Sequence, residues 1–212
     1  MAAFRLQISM SLDGYVAGPE QSLDDPLGIG GEQLHEWAVP LAAFREMHGQ
    51  EGGDTGPSDS VLREATANIG ATVMGRNMFG PVRGPWLADA PWEGWWGKNP
   101  PFHHPVFVVT HHPREPLTLE GGTTFHFVTD FEDAMMRAAR AAPDKDVAVG
   151  GGADIVRQAL AGKWIEVMDL HVVPILLGRG ERIFDGAADL KAFRLVRTIH
   201  APAVTHYSFL RG

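Results

Sequence analysis

The sequence predicts a layered α/β fold on a mixed, mostly parallel central sheet, and three observations predict it. Short apolar runs of strand length alternate with longer stretches whose apolar residues recur at helical spacing. A buried-strand pattern, Val147-Ala148-Val149, runs directly into three glycines and then into a helical pattern. Near the end of the chain, two strand-like runs are separated only by His200-Ala201-Pro202-Ala203. So short a link makes an antiparallel hairpin at the end of a sheet otherwise joined by crossovers.

Taken in order, the expected strands are Phe4–Met10, Thr72–Gly75, Val106–Thr110, Thr124–Val128, Val147–Val149, Glu166–Val173, Phe193–Ile199 and Val204–Leu210. A first helix is expected over Ser58–Asn68, with Val61, Leu62, Ala65 and Ile69 on one side. Phe131–Ala141 is a second, striped by Phe131, Ala134, Met135, Ala138 and Ala142, with Thr129 and Glu132 as a capping box. A third runs from Ala153 to Leu160, with Ile155, Val156, Ala159 and Leu160 inward and Gly162 as its stop. The stretch 49–57, rich in Gly, Asp and Glu, reads as a mobile loop. The stretch 80–105 is proline-rich and carries Trp86, Trp92, Trp95 and Trp96. A loop of that length with four indoles is expected either to pack on the parent domain or to line a pocket or dimer seam.

At 212 residues the chain suits a single domain over 1–212, long enough to bury a core without disulfides. It has no cysteine, which leaves no thiolate metal site and no thiol nucleophile. Mean hydropathy near zero and the absence of a long apolar run argue against a membrane protein. The chain opens on a strand-like pattern with no signal segment, so a cytoplasmic protein is expected. The formal charge of -8 argues against nucleic acid, which needs a basic face. An anionic cofactor remains compatible, since a few cations and backbone N–H groups can hold phosphates locally. The pairs His103-His104 and His111-His112 point to opposite faces of a strand and lack ligand spacing, so no metal site is expected. His171 alternates with apolar neighbours and reads as structural.

Gly150-Gly151-Gly152 removes every side chain where a ligand would meet the strand, and the following helix aims its free N–H groups there. A pyrophosphate fits such a place, and so does a tight turn that binds nothing. The triplet is not a G-x-G-x-x-G fingerprint, and no P-loop lysine accompanies it.

Three more segments carry a resemblance: Ile8-Ser9-Met10-Ser11-Leu12-Asp13-Gly14-Tyr15-Val16-Ala17, Val73-Met74-Gly75-Arg76-Asn77-Met78-Phe79, and Val108-Val109-Thr110-His111-His112-Pro113. In this order before the triplet they resemble the dihydrofolate reductase superfamily. The runs Ala153–Leu160 and Val173–Gly180 are similar to one branch of it, the reductase domain of the bifunctional riboflavin-biosynthesis deaminase–reductase and its stand-alone relatives. The deaminase zinc motif is absent.

The resemblance implies a three-layer dihydrofolate-reductase-like fold, with helices on both faces of the sheet, and an NADPH site. That site would comprise Ala17, Gly18, Gly75, Arg76, Asn77, Thr110, His111, Gly150, Gly151, Gly152, Ala153 and Ile155, with Arg76 approaching the 2′-phosphate. A histidine at the phosphate would tighten binding as the pH falls. Asp59 precedes Gly75 at the spacing of the superfamily's substrate-binding carboxylate, and as a first-turn acid it is equally explained as a cap. Asp13 reads as a turn residue. The implied activity is NADPH-dependent reduction of a small heterocyclic or sugar-linked substrate such as 5-amino-6-(5-phosphoribosylamino)uracil. A dihydrofolate or pteridine reductase and a non-catalytic NADPH-binding module are the alternatives. The branch also implies a homodimer, with 167–177 readable either as its seam or as a central buried strand.

Overall fold

The computed structural model describes residues 2–80, 84–87, 92–184 and 190–212. Parts of the tryptophan-rich stretch, 81–83 and 88–91, thus lie outside the described residues. The chain runs β1 (Phe4–Ser11), β2 (Tyr15–Ala17), α1 (Ala42–Met47), α2 (Pro57–Thr66), β3 (Ile69–Gly75), α3 (Arg76–Phe79), β4 (Pro105–Val109), β5 (Leu117–Thr118) and β6 (Thr124–Val128). It continues with α4 (Phe131–Ala141), β7 (Asp146–Gly151), α5 (Ala153–Ala161), β8 (Val167–Val173), β9 (Glu181–Arg182), β10 (Phe193–Ala201) and β11 (Val204–Arg211).

Nine strands form one sheet in the order β10-β11-β8-β1-β7-β3-β4-β6-β5. The central six are parallel, while β5 at one end and the β10–β11 hairpin at the other run antiparallel to their neighbours. β2 and β9 pair separately. β8 lies inside the sheet between β1 and β11, so 167–173 is a central strand.

The alternation of side chains splits the core. Leu6, Val73, Phe107, Val149, Met168 and Leu170 face α4 and α5 on one side of the sheet. On the other side, Trp37, Leu41, Leu62, Val173 and Val204 pack under α1 and α2. A third cluster sets Met74, Val106, Val108, Phe125 and Phe127 against Phe79, with Trp86, Trp92 and Trp96 packed over it. The indoles therefore do pack on the parent domain.

Local chemistry explains the element boundaries. The α4 cap is Asp130 and not Thr129, because the carboxylate of Asp130 accepts the Asp133 N–H at 2.8 Å. α5 ends at Ala161 with Gly162 as its C-cap, as expected, but Gly162 keeps right-handed geometry and Lys163 takes the left-handed position at φ 59°. The stretch 49–57 is irregular but tied down, with Asp54 N–H donating to Pro40 O and Ala42 N–H to Asp54 O. α1, a helix of six residues, is too short for its periodicity to show in the sequence.

Candidate cofactor and substrate groove

β3, β4 and β7 end side by side, and the residues at their carboxyl ends border a continuous groove of about 1420 Å³. Ligands of open α/β sheets collect at such carboxyl ends. The chain leaves β1, builds β3, β4 and β6 to one side, then inserts β7 between β1 and β3. The reversal of strand order puts the triplet in the middle of the sheet.

The triplet itself is not a loop. Gly150 and Gly151 complete β7, and Gly152 is the N-cap of α5. Gly151 has φ 120°, a conformation that side chains rarely adopt. No side chain caps α5, so its first N–H groups are left for a ligand. The acid in that first turn, Asp154, is engaged by Gln158 at 2.8 Å and by Arg157 at 3.5 Å. Gly75 is needed for close approach: a Cβ there would lie 2.8 Å from Ile155 Cγ1 and 3.4 Å from Gly152 N. The two glycine-marked ends of β3 and β7 therefore touch through α5.

Arg76 opens α3 immediately after Gly75. Its guanidinium donates to Thr110 Oγ1 at 3.0 Å and to Gly84 O at 3.2 Å, and lies 3.2 Å from the centroid of the Trp86 ring. Trp86 is held in turn by its indole N–H on His112 O at 2.7 Å. The basic side chain is thus pre-positioned at the junction of two turns. Asn77, Thr110 and His111 line the same groove, as do Ala17, Ala153 and Ile155.

Two expected site residues are not in the described lining. Gly18 packs against the Gly28–Ile29 backbone and donates its N–H to Leu27 O. Asp59 is 5% exposed, and both its carboxylate oxygens are occupied. Oδ1 accepts the Ala43 N–H at 2.6 Å, and Oδ2 accepts Arg63 Nε at 2.9 Å. Burial favours its neutral form, but these hydrogen bonds and the nearby guanidinium outweigh it and hold the carboxyl below its ordinary range. A general acid needs the opposite shift. Asp59 therefore anchors α1 to α2. Asp13 likewise ties segments together, accepting the Leu177 and Gly178 N–H groups and the Ser11 hydroxyl.

Other lining residues escaped the sequence reading, among them Gln21, Leu27, His35 and Met78. Trp95 and Trp96 place part of the tryptophan-rich segment in the groove, the second role open to it. Among the described residues no group of three or more His, Asp or Glu side chains is arranged to share a metal ion. None of the described helices is long and apolar enough to cross a membrane.

Comparisons with known proteins agree with this geometry. Among curated proteins, none matches the sequence significantly. A putative riboflavin biosynthesis protein from Shewanella sp. PV-4 superposes with a TM-score of 0.61 at 19% identity, covering 99% of each chain. Dihydrofolate reductase from Enterococcus faecalis, complexed with NADP(H), gives 0.53 at 12% identity over 99% of this chain and 96% of its own. A deaminase/5-amino-6-(5-phosphoribosylamino)uracil reductase from Thermotoga maritima gives 0.56 at 14% identity, with this chain wholly covered and spanning 57% of that one. These identities establish a shared fold. The family model of the RibD C-terminal domain matches residues 3–207, nearly the full length, and the chain belongs to that family of oxidoreductases.

Proposed function

We propose that this oxidoreductase is an NADPH-dependent reductase that adds a hydride to a C=O or C=N bond of a small heterocyclic or sugar-linked substrate. The observation that carries the reading is the convergence of Gly75–Arg76, Thr110–His111 and the glycines before α5 on one groove. The glycines leave room for a pyrophosphate that side chains would fill, and the uncapped end of α5 supplies N–H donors to it. Arg76, fixed by Thr110 and Trp86, presents a cation for the 2′-phosphate that separates NADPH from NADH. When bound, the nicotinamide supplies the hydride, and the protein orients it and keeps water out.

The uracil derivative named for the Thermotoga enzyme is the first acceptor to test, and dihydrofolate is the second. Calorimetric titration is expected to show NADPH binding tighter than NADH. Arg76→Ala is expected to reduce that preference by about tenfold or more, the scale of one lost charge-assisted contact. Equal binding of the two cofactors by both proteins would overturn the assignment of Arg76. A homodimer in the cytoplasm completes the reading. The edge strand β10, with Leu195 and Val196 exposed, is the described strand best suited to serve as its seam.

A further inference from the structure

Gly84 O and the Trp86 ring, which both hold Arg76, belong to the tryptophan-rich segment and not to the sheet. Whatever fixes that segment therefore fixes the cation at the groove. The turn after β4 grips it from three alternate residues. Thr110 Oγ1 accepts from Arg76, and His112 O accepts the Trp86 indole N–H at 2.7 Å. Arg114, two residues further on, reaches both Trp86 and Trp92.

Arg114 is placed with unusual company for a cation. One guanidinium nitrogen, Nη2, donates to Trp92 O at 2.5 Å. Its Cζ lies 4.1 Å from the centroid of the Trp86 ring, 4.3 Å from that of Phe127 and 5.6 Å from that of Phe79. Its Nε is buried and has no hydrogen-bond partner among the described residues. Burial disfavours the charge, and the nearby Glu93 opposes that effect. An apolar side chain would fill the same space at a lower desolvation cost. It could not attract the electron-rich face of an indole and bond a neighbouring carbonyl at once. Trp86 thus serves two guanidiniums, Arg76 at 3.2 Å and Arg114 at 4.1 Å, and stands edge-on to Phe79 and Phe127. Arg76 borders the groove and Arg114 does not, so an influence of Arg114 on a ligand runs through Trp86.

We propose that Arg114 is a positioning residue for cofactor choice: it pins Trp86 and the segment around it, and these hold Arg76 where the 2′-phosphate of NADPH binds. The proposal rests on the reductase reading and on its assignment of Arg76. NADH lacks the 2′-phosphate, so it does not draw on this chain of contacts. Arg114 therefore sets the ratio of the two affinities and leaves the affinity for NADH alone.

The test measures dissociation constants of NADPH and NADH by calorimetry for wild-type, Arg114→Leu, Arg76→Ala and the double variant. Arg114→Leu is expected to lower the preference for NADPH about fivefold, the scale of one partly buried cation–π contact, with NADH affinity within about twofold of wild-type. In the Arg76→Ala background the same change is expected to alter the preference less than about twofold, because the group it positions is gone. Should Arg114→Leu fail to fold by circular dichroism, Arg114→Lys is read by the same criteria, with an expected loss of about threefold, since a lysine keeps the charge and loses the planar stack. A preference unchanged by either folded variant overturns the proposal, and so does an equal loss of NADPH and NADH affinity, which marks a purely structural role. An undiminished effect in the Arg76→Ala background overturns it as well. These outcomes leave the reductase reading standing. A wild-type protein that binds neither cofactor would instead overturn that reading, and one that binds both equally would remove the role of Arg76 and the proposal with it.

Discussion

At Gly75 the lack of a side chain lets β3 end against the first turn of α5. Gly75→Val is expected to weaken NADPH binding at least tenfold while the protein stays folded, because the added carbons meet Ile155 and the N-cap of α5 at the groove. Fluorescence titration alongside circular dichroism checks both halves. The buried histidines set a pH dependence of stability. Burial, then its neighbours His206 and His35, pushes His171 down to about 3, and burial with Arg197 pushes His206 down to about 4. Both fold in the neutral form, whereas the unfolded chain takes up protons near pH 6.5. Stability is therefore fully present above that value and lost as the pH falls from about 6.5 toward 4. Urea midpoints at pH 7.5 and 5 are expected to show the loss, and His171→Leu is expected to flatten it. The groove-lining residues around Gly75 and Gly150–Gly152 were legible in the sequence because glycines at the ends of strand-like runs form a local pattern. His35 was not legible, because its position depends on Trp37 docking onto strands far away in the chain.

Elements with a full period of apolar residues showed themselves. α4 buries the stripe Phe131, Ala134, Met135 and Ala138, and α5 buries Ile155, Val156, Ala159 and Leu160, as their spacing predicts. β2, β5 and β9 did not, since strands of two or three residues carry no period and owe their existence to a partner. The α4 cap shows a finer limit. Thr129 and Asp130 both suit the role, and only the backbone decides between them. Asp130→Ala is expected to cost about 1 kcal/mol in chemical denaturation, and Thr129→Ala much less.

Across the whole molecule, one face of the sheet holds a single core and the other is divided between the Trp37 cluster and the tryptophan-and-phenylalanine cluster. Between the two, polar side chains occupy the middle strands, with Arg5 bridging Asp146 at 3.4 Å and Asp169 at 3.3 Å. At the hairpin end of the sheet, β10 presents Leu195 and Val196, 49% and 41% exposed, on an open edge. Replacing both with lysine is expected to lower the mass seen by light scattering from dimer to monomer without loss of NADPH binding. An unchanged mass would place the seam elsewhere.

The late insertion of β7 dictates an order of events during synthesis. Both neighbours of β1, β7 and β8, emerge from the ribosome after residue 145, so β1 waits more than a hundred residues for its partners. A nascent chain halted after α4 lacks the strand that joins its two halves, and it has neither the glycine cradle nor the buried histidines. Such non-local pairing makes for slow folding and a long exposure of apolar β1 and β3. The groove is therefore formed only once β7 and α5 have been added, and a ligand held in it reports that the two halves of the sheet have been joined.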